Sequence, residues 1–167
     1  YVFMLIPAVS TAGIFPGLEP SQLASLSGML FEKQVQKDEI LFKQGDPASI
    51  LYMVLKGQLI IHYKPYDGDE LTVGIIGPDG ILGWSAALGH PRYTSRAVAV
   101  EDSTLLAIYG TRLRCLCLQQ PETGAMILDR LASGIAGRLQ STEALVHLLS
   151  SEIEYNEHCM ERKIQHG

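Results

Sequence analysis

The sequence predicts a mainly β domain with flanking helices, arranged as an all-β barrel or sandwich. Short apolar runs rich in β-branched and aromatic residues occupy residues 50–55, 59–63, 71–76 and 104–109. Turn signals built from glycine, proline and aspartate separate these runs at intervals of roughly ten residues, a spacing typical of barrels and sandwiches. Helical periodicity appears before and after this segment, so helices are expected on both sides of the β structure.

The two shorter helices follow from apolar spacing and from proline positions. Between Leu23 and Met29 apolar residues recur at helical spacing after Pro20, a residue that suits the first turn of a helix. A second short helix is expected over residues 111–119, ending before Pro121. Both are expected to pack on the β structure.

A long helix is predicted near the end of the sequence. Its apolar residues follow a 3,4,4,3,4,3,4 spacing, which is close to a coiled-coil seam; they are Leu128, Leu131, Ile135, Leu139, Thr142, Val146, Leu149 and Ile153. We expect this helix to contact both the barrel and a second copy of the chain, giving a homodimer; the alternative is a helix that lies only on its own barrel. The predicted division is residues 1–120 for the barrel, the N-terminal helix and the short post-barrel helix, and 121–167 for the long helix and a polar tail.

Composition and charge argue against several classes of function. The 167 residues carry a formal net charge of −5, which does not favour DNA binding by this chain alone. The three cysteines fit reduced thiols in a cytoplasmic protein, and no metal site is expected because no further ligand lies near Cys115 and Cys117 at suitable spacing. The apolar start, residues 1–9, lacks a basic region and is too short to span a bilayer, so no membrane contact is expected.

No set of residues in the sequence indicates catalysis. The chain has no P-loop, zinc motif, paired carboxylates at useful spacing or Ser-His-Asp set. The segment 83–85 is Gly-Trp-Ser, which lacks the closing glycine of a nucleophile elbow. His90 lies in a Gly-His-Pro turn, and strand alternation places His62 on the solvent side. The chain is therefore not expected to be an enzyme.

Four motifs occur in one order along most of the chain. They are FPGL at 15–18, LFKQGDPA at 41–48, LYMVLKGQL at 51–59 and AVEDSTLLAI at 99–108. In this order the sequence resembles the sensor domain of the catabolite activator and fumarate–nitrate regulator (Crp/Fnr) superfamily, over about residues 14–149. The resemblance implies a double-stranded β-helix (a jelly roll, or β-roll) followed by a long dimerisation helix, and a cytoplasmic role in signal transduction and transcription regulation. Tight corners of such a roll are expected at Gly45, Gly57 and Gly68, because only glycine accepts positive φ cheaply.

The same resemblance implies a ligand pocket that contains a phosphate-binding cassette, which maps onto residues 82–88 and 92–99. In the family a short helix offers backbone N–H groups and a Glu that takes the ribose hydroxyl, and an Arg beside Ser or Thr neutralises the cyclic phosphate. Here Trp84 stands at the Glu position and Tyr93 at the Arg position, while Arg92 is one residue away and Arg96 is expected to point outward. The other implied pocket residues are Ile61, Val73, Gly74, Gly83, Ser85, Ala86, Thr94, Ser95 and, on the long helix, Thr142.

These departures make ordinary cyclic AMP binding doubtful. No cofactor is assigned, and the candidate ligands are a cyclic nucleotide or another small flat molecule. The predicted function is a ligand-sensing regulatory domain that signals through a dimerising long helix. Two alternatives are the effector half of a transcription regulator whose winged helix-turn-helix is absent from this sequence, and a ligand-free dimerisation scaffold whose pocket is filled by its own side chains.

Overall fold

Eight strands form two antiparallel sheets in the computed structural model, which describes residues 15–138. In chain order they are β1 (Phe31–Val35), β2 (Ile40–Phe42), β3 (Ile50–Lys56), β4 (Leu59–Tyr63), β5 (Leu71–Ile76), β6 (Ile81–Leu82), β7 (Arg96–Ala99) and β8 (Ser103–Tyr109). Sheet I has the order β1-β8-β3-β6 and sheet II the order β2-β7-β4-β5. The chain changes sheet at every step except from β4 to β5, which form a hairpin. This alternation confirms the predicted double-stranded β-helix.

Four helices flank the sheets in the described part of the chain. They are α1 (Pro20–Ser27), α2 (Trp84–Leu88), α3 (Gly110–Gln119) and α4 (Pro121–Arg138). Helix α1 begins with a capping box, in which the Gln22 side chain accepts a hydrogen bond from the Glu19 backbone N–H at 2.8 Å. Both predicted short helices are present, with bounds within two residues of those expected from spacing. None of the helices over residues 15–138 is long and apolar enough to cross a membrane.

Strands β3 and β8 are buried on both faces, which explains why their sequences are nearly continuous apolar runs. On β3, Tyr52 and Val54 pack in the core between the two sheets. The alternate residues Leu51 and Met53 belong to a second core, formed with the helices. Sheet I therefore separates an inner core from a helix-side core.

The predicted corners of the roll are confirmed by backbone geometry. Gly45, Gly57 and Gly68 have φ values of +88°, +94° and +137°, in the left-handed region that L side chains rarely adopt.

The described part of the long helix packs on its own barrel. Leu131 is only 2% exposed and joins the helix-side core together with the fully buried Ile127, which lies outside the predicted seam. Leu128 is 43% exposed. The seam prediction is corrected for Leu131, because its own barrel buries this side chain almost completely. Ile135, the third predicted seam residue in the described part of the helix, is half-buried and faces a cavity of its own chain. The other seam positions Leu139, Thr142, Val146, Leu149 and Ile153 lie outside the described residues.

Candidate functional site

A cavity of about 290 Å³ lies between sheet II, α2 and α4. The β4–β5 hairpin contributes Ile61, Tyr63, Val73, Gly74, Ile75 and Ile76 to its lining. The remaining lining residues are Phe42, Leu82, Gly83, Trp84, Thr94, Ser95 and Ile135. None of these thirteen residues carries a charge, so the described part of the cavity is an apolar site with a few hydroxyl groups.

A β-bulge shapes the wall that the hairpin contributes. The register pairs Ile61 with Gly74 and His62 with Thr72, which leaves Val73 without a partner on β4. Such an extra residue bends its strand, and both Val73 and Gly74 line the cavity. His62 lies outside the lining, with its Nδ1 atom 3.6 Å from the Glu70 carboxylate.

Gly83 positions the start of α2 at the cavity. Its φ is +73°, and a Cβ atom there would lie 2.7 Å from the Ile50 carbonyl oxygen and 3.1 Å from a ring carbon of Tyr93. Backbone cannot yield to such a contact as a flexible side chain can, so this position requires glycine. The next residue, Trp84, is half-buried and forms part of the cavity wall.

Tyr93 is buried beside the cavity and does not line it. Its ring stacks on Phe42 with a centroid distance of 4.0 Å and is 6% exposed. Its hydroxyl donates to the Ile50 carbonyl at 2.7 Å and accepts from the Ile50 N–H at 3.0 Å. Burial raises the pKa of this hydroxyl, because an apolar environment disfavours the phenolate. Tyr93 was predicted in the pocket, and the structure corrects this prediction. Its aromatic ring belongs to the core, and its hydroxyl group already has a backbone donor and a backbone acceptor as partners.

Three arginines around the cassette are engaged away from the cavity. Arg92, which was predicted in the pocket, is exposed and donates from Nη1 to the Gly45 carbonyl at 2.6 Å. Arg96 forms an ion pair with Glu70 on the outside of sheet II, in agreement with its expected outward direction. Arg114 of α3 donates to the Ala86 carbonyl. The prediction that Arg92 lines the pocket is therefore wrong.

Ser85 and Ala86 are also absent from the lining, contrary to prediction. Both are buried within α2, and the Ala86 N–H donates to the Gly83 carbonyl at 3.0 Å. The Ser85 carbonyl accepts from the His90 N–H at 2.9 Å. Because the first turn of α2 places Trp84 at the cavity, the next two residues turn toward the interior of the fold.

The structure thus brings together seven of the residues predicted for the pocket. These are Ile61, Val73, Gly74, Gly83, Trp84, Thr94 and Ser95. Thr142 lies outside the described residues. The residues that sequence reasoning missed are Phe42, Tyr63, Ile75, Ile76, Leu82 and Ile135. Strand alternation pointed from Ile61 to Tyr63, and along β5 from Val73 to Ile75 and from Gly74 to Ile76. The four-residue step from Leu131 pointed to Ile135, whereas Phe42 and Leu82 carried no such signal of periodicity.

Replacement of Tyr93 by Phe is expected to lower the free energy of unfolding by about 1–3 kcal/mol. The change keeps the ring on Phe42 and removes the hydroxyl from two partly buried backbone groups of Ile50. Urea denaturation followed by circular dichroism measures the loss. The matched control is Tyr109→Phe, because Tyr109 is 46% exposed and retains its ring contact with Phe31. Its cost should stay within about 0.5 kcal/mol. Equal costs for both variants would contradict the anchoring role of the Tyr93 hydroxyl.

No group of three or more His, Cys, Asp or Glu side chains within residues 15–138 is arranged to hold a metal ion.

Comparison with known proteins places this fold among cyclic nucleotide-binding domains. The family model described as "Cyclic nucleotide-binding domain" matches residues 32–120. The "Cyclic AMP receptor protein" of Thermus thermophilus is 28% identical over 139 residues, which cover 83% of this chain and 62% of the relative. The "CRP-like cAMP-activated global transcriptional regulator" of Mycobacterium tuberculosis is 28% identical over 74% of this chain and 55% of its own length. The chain therefore spans less than two thirds of either relative.

Solved structures show the same architecture. The Catabolite Activator Protein of Thermus thermophilus superposes with a TM-score of 0.65 at 28% identity, covering 82% of this chain and 62% of that one. A cyclic nucleotide-binding domain from Methylobacillus flagellatus superposes with a TM-score of 0.72 at 19% identity, covering 90% and 83% of the two chains. Because the Methylobacillus flagellatus domain is only 19% identical to this chain, its similarity supports the fold alone.

Proposed function

Since the chain belongs to the cyclic nucleotide-binding domain family, we propose that it is a ligand-sensing regulatory domain in which α4 reports whether the cavity is occupied. The observation that carries this proposal is that a single helix contributes to both the cavity wall and the core. Ile135 lines the cavity, while Leu131 and Ile127, about one and two turns earlier, are buried in the helix-side core. A ligand that touches Ile135 shifts the balance between positions of α4 to the extent that it binds one of them better.

The size of the cavity favours a ligand site over a ligand-free scaffold. The described side chains enclose about 290 Å³, close to the lower end of the range for small-molecule sites. A pocket filled by the side chains of residues 15–138 would leave no such space.

The proposal is tested on the purified chain. Native mass spectrometry identifies any small molecule that remains bound, and the extracted compound is then returned to ligand-free protein. Trp84 is the single tryptophan of the chain and lines the cavity, so its fluorescence should change on binding. Amide hydrogen exchange of α4 should slow at the same concentrations. A compound that changes Trp84 fluorescence and leaves exchange in α4 unaltered would contradict the reporting role of the helix.

We also propose that α4 and its continuation pair with a second copy of the chain. Leu128 is 43% exposed on the described part of this helix, and the predicted seam continues through Leu139 and Leu149. Replacing Leu139 and Leu149 together by Asp is expected to convert a dimer at tens of micromolar into a monomer, because each buried leucine contributes about 1.5–3 kcal/mol. Light scattering measures the mass. Replacing the charged Glu143 and Glu152 by Gln serves as the control and should leave the mass unchanged. A monomeric wild type would refute the pairing.

A second candidate is the effector half of a transcription regulator. It is favoured by the relatives, which are longer than this chain and include a named transcriptional regulator. Sequencing the gene beyond the codon for Gly167 distinguishes the two candidates. A downstream winged helix-turn-helix would favour the second.

A further inference from the structure

We propose that the ligand of this cavity is a small uncharged molecule, mostly apolar, with one hydrogen-bonding end. This inference rests on the proposed sensor function and names the chemical class that the site accepts. It departs from the cyclic nucleotides after which the family is called, because a cyclic nucleotide carries a negative phosphate.

The first reason for an uncharged ligand is the distribution of charge among the described residues. No lining residue is charged, and the arginines nearest in sequence to the cassette already have partners. Arg92 donates to the Gly45 carbonyl, Arg96 pairs with Glu70, and Arg114 donates to the Ala86 carbonyl. An anion that entered the cavity would lose its hydration and would find no cation among these residues. The cavity therefore binds a negatively charged ligand less tightly than a neutral one of the same size.

The polar groups of the lining indicate that the ligand has a hydrogen-bonding end. Thr94 and Ser95 are adjacent, partly buried and part of the cavity wall. Their hydroxyls have no hydrogen-bond partner among the described residues. Each hydroxyl both donates and accepts, so the pair suits a neutral amide, hydroxyl or carbonyl at one end of a ligand.

The size and shape of the cavity indicate how large the ligand is. The cavity volume of about 290 Å³ lies near the lower end of the range of about 300–1,000 Å³ for small-molecule sites. A small ligand of roughly ten to fifteen non-hydrogen atoms suits a site of this size. The Trp84 indole offers a broad apolar wall, and an aromatic ring suits such a wall.

The test compares two probes that match in size and differ in charge: 1-naphthaleneacetamide, which is neutral, and 1-naphthaleneacetate, an anion. Calorimetry on the full chain measures both affinities. In a ¹⁵N-labelled sample Trp84 gives the single indole N–H resonance, because it is the only tryptophan, and its shift reports that the cavity is the site. The amide is expected to bind at least tenfold more tightly than the acetate.

Two variants sharpen the comparison. Replacing Thr94 by Val together with Ser95 by Ala should weaken the amide about five- to tenfold and leave 1-ethylnaphthalene, which has no polar end, unchanged. Ile75 lines the cavity and is 62% exposed, so it tolerates a longer side chain. Ile75→Lys should reverse the preference toward the acetate, and Ile75→Met, of similar length and no charge, should not.

The outcomes separate this inference from the proposed function. Equal or tighter binding of the acetate by the wild type, with a shifted Trp84 resonance, would overturn the uncharged ligand and leave the sensor proposal in place. Binding of neither probe at about 1 mM, with the resonance unmoved, would also overturn the uncharged ligand. The sensor proposal fails on a different result, a compound that binds at Trp84 and leaves amide exchange in α4 unaltered.

Discussion

Calorimetric titration of this chain with cyclic AMP or cyclic GMP is expected to show no heat at micromolar nucleotide. The cyclic phosphate would enter a cavity whose described lining carries no charge, and an unpaired buried charge costs several kcal/mol. Since each 1.4 kcal/mol changes an affinity tenfold, this cost weakens binding by at least a hundredfold. In addition, the indole of Trp84 cannot accept a hydrogen bond from a ribose hydroxyl, because its one polar group is a donor.

Restoring the two charges should restore affinity. The variant that combines Trp84→Glu with Tyr93→Arg places a carboxylate in the cavity lining and a guanidinium beside it. An arginine is not stable unpaired in the core where the Tyr93 ring lies, so its long side chain is expected to turn toward the adjacent cavity. We expect at least a tenfold gain in affinity for cyclic AMP. The matched control, Trp84→Gln with Tyr93→Met, has side chains of similar length without charge and should show no gain. Both variants lose the bonds from the Tyr93 hydroxyl to Ile50, so thermal unfolding of each is recorded alongside the titration.

Wild-type binding at micromolar concentration or tighter would refute this argument. It would require a cation to reach the cavity, and Arg92 is the first to examine because only its bond to the Gly45 carbonyl must break. Arg92→Met would then abolish the binding.

The β structure was predictable because its signals are local. The residues of β4 and β5 coincide with two apolar runs bounded by turn signals. Each run either alternates between apolar and polar residues or is rich in β-branched residues, as strands are. The three corner glycines were predictable for the same reason, since glycine tolerates positive φ wherever it occurs in the chain. The resemblance then located the cassette, and the structure places Trp84, Thr94 and Ser95 in one cavity.

Outside the strands, where alternation does not apply, the side-chain directions of Arg92 and Tyr93 were not predictable, because they depend on residues distant in sequence. Tyr93 turns into the core since Ile50, forty-three positions earlier, offers both a partly buried donor and a partly buried acceptor. Arg92 turns out because the carbonyl of Gly45 lies within reach. Neither contact leaves a trace in the local pattern around the cassette.

The long helix shows how a helix prediction can combine residues of two faces in one seam, because Leu131 is buried and Leu128 is 43% exposed. Ile127 and Leu128 are adjacent apolar residues whose side chains lie about 100° apart around the helix. The heptad pattern selected Leu128, while the barrel buries Ile127 completely. The sequence pattern is compatible with either residue facing the barrel. Which one is buried depends on the surface formed by sheet I and α3, on which the helix packs.

Truncating Leu131 to Ala is expected to lower the free energy of unfolding by about 2–5 kcal/mol, whereas Leu128→Ala should cost no more than about 1 kcal/mol. The two leucines lie three residues apart on α4, and the same atoms are removed from each. Leu131 is 2% exposed in the helix-side core and Leu128 is 43% exposed, so only the first truncation leaves a cavity inside the chain. Alanine is a good helix former, so helix propensity does not distinguish the variants. Urea denaturation, followed by circular dichroism, measures both changes.

The outcome of this pair also bears on assembly. If Leu128 packs against a second copy, Leu128→Ala should lower stability by an amount that depends on protein concentration, because dissociation is then coupled to unfolding. The cost of Leu131→Ala should persist at every concentration, since its contacts lie within one chain. A neutral Leu131→Ala would mean that α4 does not depend on the barrel for its position. In that case Ile135 would not be held at the cavity, and the route from ligand to helix would be lost.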